Sequence, residues 1–181
     1  MNEISDSAVD LNQLAYDILI LSRNTLLVNL RFLDAALSQL EFYPHVGISI
    51  GSEGHILAYS PVFIVQSYLQ DQALPVRYYL HTILHCVFRH MYVHTLVDRD
   101  AWDLACDIAV EYSIKGLNIK AAEHHVCTEY EGVFSLLEEK VGFLTAEKIY
   151  HFFIVNDDRE TLIREWSEIF RRDSHLLWNM S

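Results

Sequence analysis

Basic residues are few in this 181-residue chain, where 13 Lys and Arg stand against 25 Asp and Glu and the formal net charge is −12. The phosphates of a nucleic-acid duplex and an anionic membrane surface both repel a chain of that charge. Long hydrophobic runs are absent as well: no unbroken apolar run exceeds four residues, whereas a transmembrane helix needs about 20. We therefore expect a protein that binds neither nucleic acid nor membranes.

Cysteines are also scarce, and their spacing excludes two common frameworks. Cys86, Cys106 and Cys127 are an odd number and form no Cys-x-x-Cys pair. This argues against a disulfide framework or a zinc ribbon, and it favours free thiols in a reducing compartment. The first residues are acidic and lack the basic region of a signal peptide. We expect a cytoplasmic protein.

Hydrophobic periodicity predicts helices, then a hairpin, then more helices. Apolar residues recur every three or four positions from about 9 to 40, which predicts one long helix, or two with a break near 22–24. β-Branched residues on both sides of a glycine-bounded loop, 51–54, predict a small antiparallel sheet within 45–59. The later helices are predicted at about 61–70, 74–94, 101–115, 133–141, 146–154 and 159–171. This order is typical of the mostly helical α+β class.

We expect one domain over residues 1–181, in three parts. Residues 1–42 form N-terminal helices, and residues 43–116 hold the hairpin and the helices of the candidate site. Residues 117–181 form a C-terminal helical part.

The ten histidines include two pairs at helical spacing. His81 and His85 lie about 40° apart on a helix surface, so both imidazoles can reach one metal ion. His90 and His94 repeat this spacing, but on a straight helix they face the opposite side, so the two pairs are not expected to serve one site. Histidine pairs also arise by chance in a histidine-rich chain, so packed histidines remain an alternative.

The helix predicted after these histidines carries three acids at steps of four, Asp103, Asp107 and Glu111. A stripe of acids is normally a solvated face, but small and apolar residues surround the middle one. Asp107 is therefore expected to be buried, and a buried carboxylate is paired or bound to a metal. Arg89, in the preceding helix, is a competing partner for Asp103 or Asp107.

The order of these motifs resembles a family of zincin-like metallopeptidase domains, which in bacteria precede a von Willebrand factor A-like domain. The chain has the hairpin, the Ser60-Pro61 helix start, His81-Thr82-Ile83-Leu84-His85 continuing to His90, and Trp102-Asp103-Leu104-Ala105-Cys106-Asp107. The segments 144–150 and 173–178 are similar to family segments too, so the resemblance spans nearly the whole chain. It implies a zincin-like fold.

The resemblance also implies a zinc site in which His81 and His85 are ligands and Asp107 is the third. His175 is a weaker candidate, as a ligand or as a neighbour of the ligands, and Arg89 and Asp103 are expected beside the site.

The residue after the first histidine departs from the family pattern. The family has a glutamate there, which accepts the proton of the attacking water, and this chain has Thr82. Threonine cannot accept a proton near neutral pH. The sequence ends shortly after Trp178, so we also expect a domain without its A-like neighbour.

Three functions remain open. The first is a metal-binding domain that has lost peptidase activity and acts through protein contacts; its partner would be a protein or peptide, such as an AAA ATPase or an A-like domain protein. The second is an active zinc peptidase whose general base is Asp103 or Glu111. The third is a metal-free interaction domain in which His81 and His85 are packed polar residues.

Overall fold

The computed structural model describes residues 3–93, 96–123 and 128–179. The chain divides into two compact units, and each is described by itself. Unit one comprises Met1–Met91, Ile119–His124 and Asp173–Ser181, and unit two comprises Tyr92–Asn118 and His125–Arg172. Within the described residues, no helix combines the length and the apolar character that crossing a membrane requires.

The described residues of unit one form four helices, a small sheet and three short 3-10 turns. Its elements are α1 (Glu3–Asn29), a 3-10 turn (Arg31–Leu33), α2 (Asp34–Gln39), β1 (Glu41–Pro44), β2 (Ile50–Ser52), β3 (Ile56–Tyr59), α3 (Pro61–Gln70), α4 (Ala73–Phe88), and the 3-10 turns Lys120–Ala122 and His175–Asn179. The N-terminal pattern forms one long helix that continues through residues 22–24 and ends at Asn29, because Leu30 leaves helical geometry with φ −129°.

The sheet confirms the predicted hairpin and adds a strand that the sequence pattern did not reveal. β2 and β3 pair antiparallel, and β1 pairs with β3 in parallel, so the order is β1-β3-β2 and the sheet is mixed rather than antiparallel. The predicted first strand near residue 45 does not form there, because Gly47 adopts φ +108° and turns the chain before β2. β1 is mostly exposed, which explains its weak apolar signal.

Helix α4 ends earlier than its apolar pattern predicts, at Phe88 rather than near residue 94. Arg89 adopts the left-handed conformation, with φ +61°. The N–H of Arg89 donates to the carbonyl of Cys86, and the N–H of His90 donates to the carbonyl of His85, both at 3.1 Å. These two bonds define a Schellman C-cap, which turns the chain back over the last turn of the helix.

Unit two is helical in its described residues. Its helices are α5 (Arg99–Leu117), α6 (Thr128–Val141), α7 (Ala146–Ile154) and α8 (Arg159–Phe170). The Asp98 side chain caps α5 by accepting from the N–H of Ala101, and Thr145 caps α7 as its sequence predicts. Helix α5 packs against α7 and α8, and it runs through Gly116 to Leu117.

These elements confirm the mostly helical α+β class, while the zincin-like arrangement and the single-domain organisation stay predictions. Cys86 and Cys106 are free thiols as expected, and burial raises the pKa of the Cys106 thiol well above its ordinary value. Cys127 lies outside the described residues.

A close approach holds the segment after Arg172 against the sheet of unit one. The N–H of Ser174 donates to the carbonyl of Ile50 at 2.7 Å. A Cβ atom on Gly51 would collide with the carbonyl oxygen of Ser174. Glycine at this position therefore lets the segment from Asp173 onward lie directly on β2.

Replacing Gly51 by alanine should lower the free energy of unfolding by about 1–3 kcal/mol, because backbone on both sides must shift to make room for the methyl group. Gly132→Ala is the matched control. Gly132 lies within α6 with open space around its Cβ position, so this change should instead raise stability by about 0.5–1 kcal/mol. Urea denaturation of both variants measures the two effects, and wild-type stability in Gly51→Ala would contradict the close approach.

Candidate metal centre

Helix α4 places two imidazoles side by side in the core of unit one. His81 and His85 are 0% and 1% exposed. They lie one turn apart on a helix whose neighbouring residues Leu80, Ile83 and Leu84 are buried as well. Their Nε2 atoms are 2.9 Å apart, so both nitrogens face the same point, as the four-residue spacing predicts.

Asp173 brings a carboxylate to this point from the distant end of the chain. Its Oδ1 atom lies 3.7 Å from Nε2 of His81 and 3.9 Å from Nε2 of His85, and its side chain is 1% exposed. The bond from Ser174 to Ile50 fixes the backbone beside it. Sequence analysis missed Asp173, although it stands at the start of a segment similar to the family, two residues before His175.

The arrangement of these three ligand atoms fits a zinc ion. The three atoms lie 2.9, 3.7 and 3.9 Å from one another, so one ion at a common centre could contact all three, and zinc accepts both His nitrogen and carboxylate oxygen as ligands. Asp173 Oδ1 is buried, and the Nε2 atoms of three imidazoles, those of His175, His81 and His85, lie 3.0–3.9 Å from it. A buried carboxylate oxygen in these surroundings is suited to a cation. His81, His85 and Asp173 could therefore hold a metal ion.

The imidazoles around Asp173 favour its ionised form. Burial on its own raises the pKa of this carboxyl, but the neighbouring His175, His85 and His81 outweigh burial and hold the pKa below its ordinary value. The carboxylate is therefore negatively charged near neutral pH, which is the state that a metal requires.

Thr82 lies beside this carboxylate and is 1% exposed. Its hydroxyl is 3.0 Å from the carbonyl of Tyr78 and 3.4 Å from Oδ2 of Asp173. The hydroxyl has one proton to donate, and the closer acceptor is the carbonyl one turn earlier in α4. Thr82 thus borders the cluster through Asp173.

His175 also contacts Asp173, as the sequence prediction of a neighbouring role would require. Nε2 of His175 is 3.0 Å from Oδ1 of Asp173, and the His175 side chain is 7% exposed. Its ring stacks on Trp178, with centroids 3.6 Å apart, and Trp178 in turn packs edge-on against His85 at 5.0 Å. The 3-10 turn therefore covers the imidazole of His85 with an aromatic ring. Whether His175 binds metal stays a prediction.

His90 lies next to His85, although a straight helix would have put it on the opposite face. Nδ1 of His90 is 3.0 Å from Nδ1 of His85. The expectation was wrong because α4 stops at Phe88 and the left-handed Arg89 folds the next residue back. His94, the other member of the second pair, lies outside the described residues.

The remaining predicted site residues are placed as follows. Asp107 and Glu111 lie on α5 of unit two and are 1% and 0% exposed, so the burial expected for Asp107 is observed. Asp103 forms an ion pair with Arg99, four residues earlier, at 3.1 Å. Arg89 is the exposed C-cap of α4 rather than a residue inside the helix. The roles predicted for these residues in the site stay predictions.

Comparison with known families agrees with this chemistry. The family described as "Putative metallopeptidase domain" matches residues 23–172, and the chain belongs to this family. No curated protein and no solved structure matches the chain. His81, Thr82 and His85 fall within the matched range, and Asp173 and His175 follow it directly.

Replacing Thr82 by valine should cost about 1 kcal/mol of stability, because a buried carbonyl and a buried carboxylate lose a hydroxyl neighbour. Thr25→Val is the matched control, since the Thr25 hydroxyl also donates to the carbonyl four residues earlier, that of Leu21, but this hydrogen bond is exposed to solvent. The control should change stability by less than about 0.5 kcal/mol. Chemical denaturation in the presence of a chelator compares the two, and equal effects would contradict the placement of Thr82 beside Asp173.

Proposed function

We propose that this domain binds zinc through His81 and His85 and acts through protein contacts rather than by cleaving peptides. The observation that carries the proposal is the buried cluster of two imidazole nitrogens and one carboxylate oxygen around a common centre. A buried carboxylate is paired or bound to a metal, and the nitrogens beside this one are of a type that binds zinc. Membership of the metallopeptidase family supports the same assignment.

The proposed ligand set has four members: His81, His85 and Asp173, whose ligand atoms lie together in unit one, and Asp107, which the family resemblance nominates. Asp107 is 1% exposed, and binding to a metal is one of the ways in which a buried carboxylate is accommodated. Structural zinc sites have four protein ligands, whereas catalytic sites keep one position open for substrate or water. Zinc can supply Lewis-acid chemistry when it is bound, but four protein ligands leave no position for a substrate.

Loss of the general base supports the same conclusion. Thr82 stands where the resemblance places the proton-accepting glutamate, and its hydroxyl has a carbonyl partner. Asp103 is paired with Arg99. The pKa of Asp173 is held below its ordinary value, and a carboxylate of low pKa is a poor proton acceptor. None of the three residues Thr82, Asp103 and Asp173 is therefore suited to act as the general base of a peptidase.

The proposed partner is a protein or a peptide. The resemblance points to an AAA ATPase or a protein with a von Willebrand factor A-like domain, because the family occurs together with such a domain. We also propose that the domain has a zincin-like fold and that the protein is located in the cytoplasm.

Purified protein freed of metal should bind one zinc ion per chain and melt at a higher temperature when zinc is added, because a metal that binds only the folded state stabilises it. His81→Ala should remove both effects. His55→Ala is the matched control, since the His55 side chain is 74% exposed and contacts Glu53. Calorimetric titration and thermal unfolding measure the outcome. If the wild-type chain neither binds zinc nor gains stability from it, the metal-free alternative is correct.

Two conservative variants, measured in the same calorimetric zinc titration, test whether all four proposed residues bind the metal. Asp107→Asn and Asp173→Asn keep the size of each side chain and remove its charge. If all four residues are ligands, each change should weaken zinc binding. Unchanged affinity in Asp107→Asn would remove it from the ligand set and leave an open position.

Zinc-loaded wild-type protein should hydrolyse a permissive peptide substrate no faster than the chelator-treated control, because it lacks a base and an open position. Combining Thr82→Glu with Asp173→Asn supplies a carboxylate at the family position and removes one ligand charge. This double variant should gain hydrolysis, with general-base assistance worth up to about 10²–10⁴-fold over Asp173→Asn alone. Mass spectrometry of the peptide products measures it.

One result would contradict the loss of peptidase activity. Strong hydrolysis by the wild-type protein, abolished both by chelator and by His85→Ala, would show an active peptidase. Glu111, fully buried on α5, would then be the next base to replace.

A further inference from the structure

The contact between His85 and His90 has no role in the ligand set proposed above. His85 uses both ring nitrogens: Nε2 is 2.9 Å from Nε2 of His81, and Nδ1 is 3.0 Å from Nδ1 of His90. His90 is 5% exposed, and its ring packs against Phe88 at 5.4 Å. A neutral imidazole has one N–H, so the direction of a hydrogen bond between His85 and His90 fixes which nitrogen of His85 carries the proton.

We propose that His90 is a positioning residue that holds His85 in the tautomer able to bind metal. This inference rests on the proposed zinc site. A neutral imidazole has one N–H and one acceptor nitrogen. When the N–H at Nδ1 of His85 donates to Nδ1 of His90, the lone pair of the His85 ring is on Nε2, the atom that lies 2.9 Å from Nε2 of His81. Metal-binding histidines are oriented by such a bond from the second ring nitrogen.

The opposite direction of this bond defines the competing state. If Nδ1 of His90 were the donor, the proton of His85 would move to Nε2 and point toward Nε2 of His81. His85 could then not bind a metal through that nitrogen. The direction of one buried hydrogen bond therefore separates a metal-competent site from an incompetent one.

The end of helix α4 places His90 in position to make this bond. The N–H of His90 donates to the carbonyl of His85, and the left-handed Arg89 between Phe88 and His90 makes the reversal possible. Backbone bonds thus set the separation of the two rings. The sequence separation of five residues would place the side chains apart on a continuous helix.

Nitrogen NMR of the metal-free wild-type protein, recorded at a pH where the spectra themselves show both rings to be neutral, reads the tautomers directly. We expect a proton on Nδ1 of His85 and on Nε2 of His90. A proton on Nε2 of His85 would overturn the inference. This measurement needs no metal, so it decides the role of His90 even if zinc binding fails and the proposed function with it.

Zinc titration of two variants supplies the second test. His90→Leu removes the acceptor and should weaken zinc binding about 10–100-fold, while His90→Asn keeps an acceptor oxygen near the position of Nδ1 and should recover most of the affinity. His55→Leu, at an exposed position, should bind as wild type does. Unchanged affinity in His90→Leu, or equal loss in Leu and Asn variants of matched metal-free melting temperature, would overturn the inference.

Discussion

The site depends on the burial of one charged carboxylate. Asp173 has a side chain that is 1% exposed, and an isolated ionised group in that position would cost several kcal/mol. Three histidines offset this cost and hold its pKa low, while the bond from Ser174 to Ile50 keeps its backbone on the sheet. The requirement for glycine at position 51 follows from the same packing. The small sheet therefore positions the carboxylate of the cluster.

A second constraint lies in the backbone at the end of α4. Arg89 is a non-glycine residue at φ +61°, a conformation that costs an L residue about 1–2 kcal/mol. The two capping bonds offset that cost, and the result is that His90 meets His85. A helix that continued to residue 94 would leave His85 without this partner. Local capping thus determines the chemistry of a buried ring nitrogen.

Sequence reasoning recovered the parts of the fold and site that depend on local spacing. His81 and His85 share a face because four residues make about one helical turn, and the hairpin and the Ser60 and Thr145 caps follow from local preferences. Asp173 could not be derived this way, since 88 positions along the chain separate it from His85 and only the tertiary fold brings it close. His90 was misplaced because a left-handed arginine is not expected from its residue type. The parallel strand β1 was missed because its residues are mostly exposed.

Between the two metal-binding functions, the number of protein ligands separates a structural site from a catalytic one. Two histidines and one carboxylate would leave a position for substrate, as in catalytic zinc sites, and a second carboxylate closes the shell. Thr82 stands at the position where the resemblance expects a glutamate that would take a proton, and Asp173 lies beside Thr82. A carboxylate is thus present near the family position, but it is ionised, faces the imidazoles, and has a low pKa. In the proposed function this charge binds a cation instead of acting as a base, which favours a structural zinc site over a catalytic one.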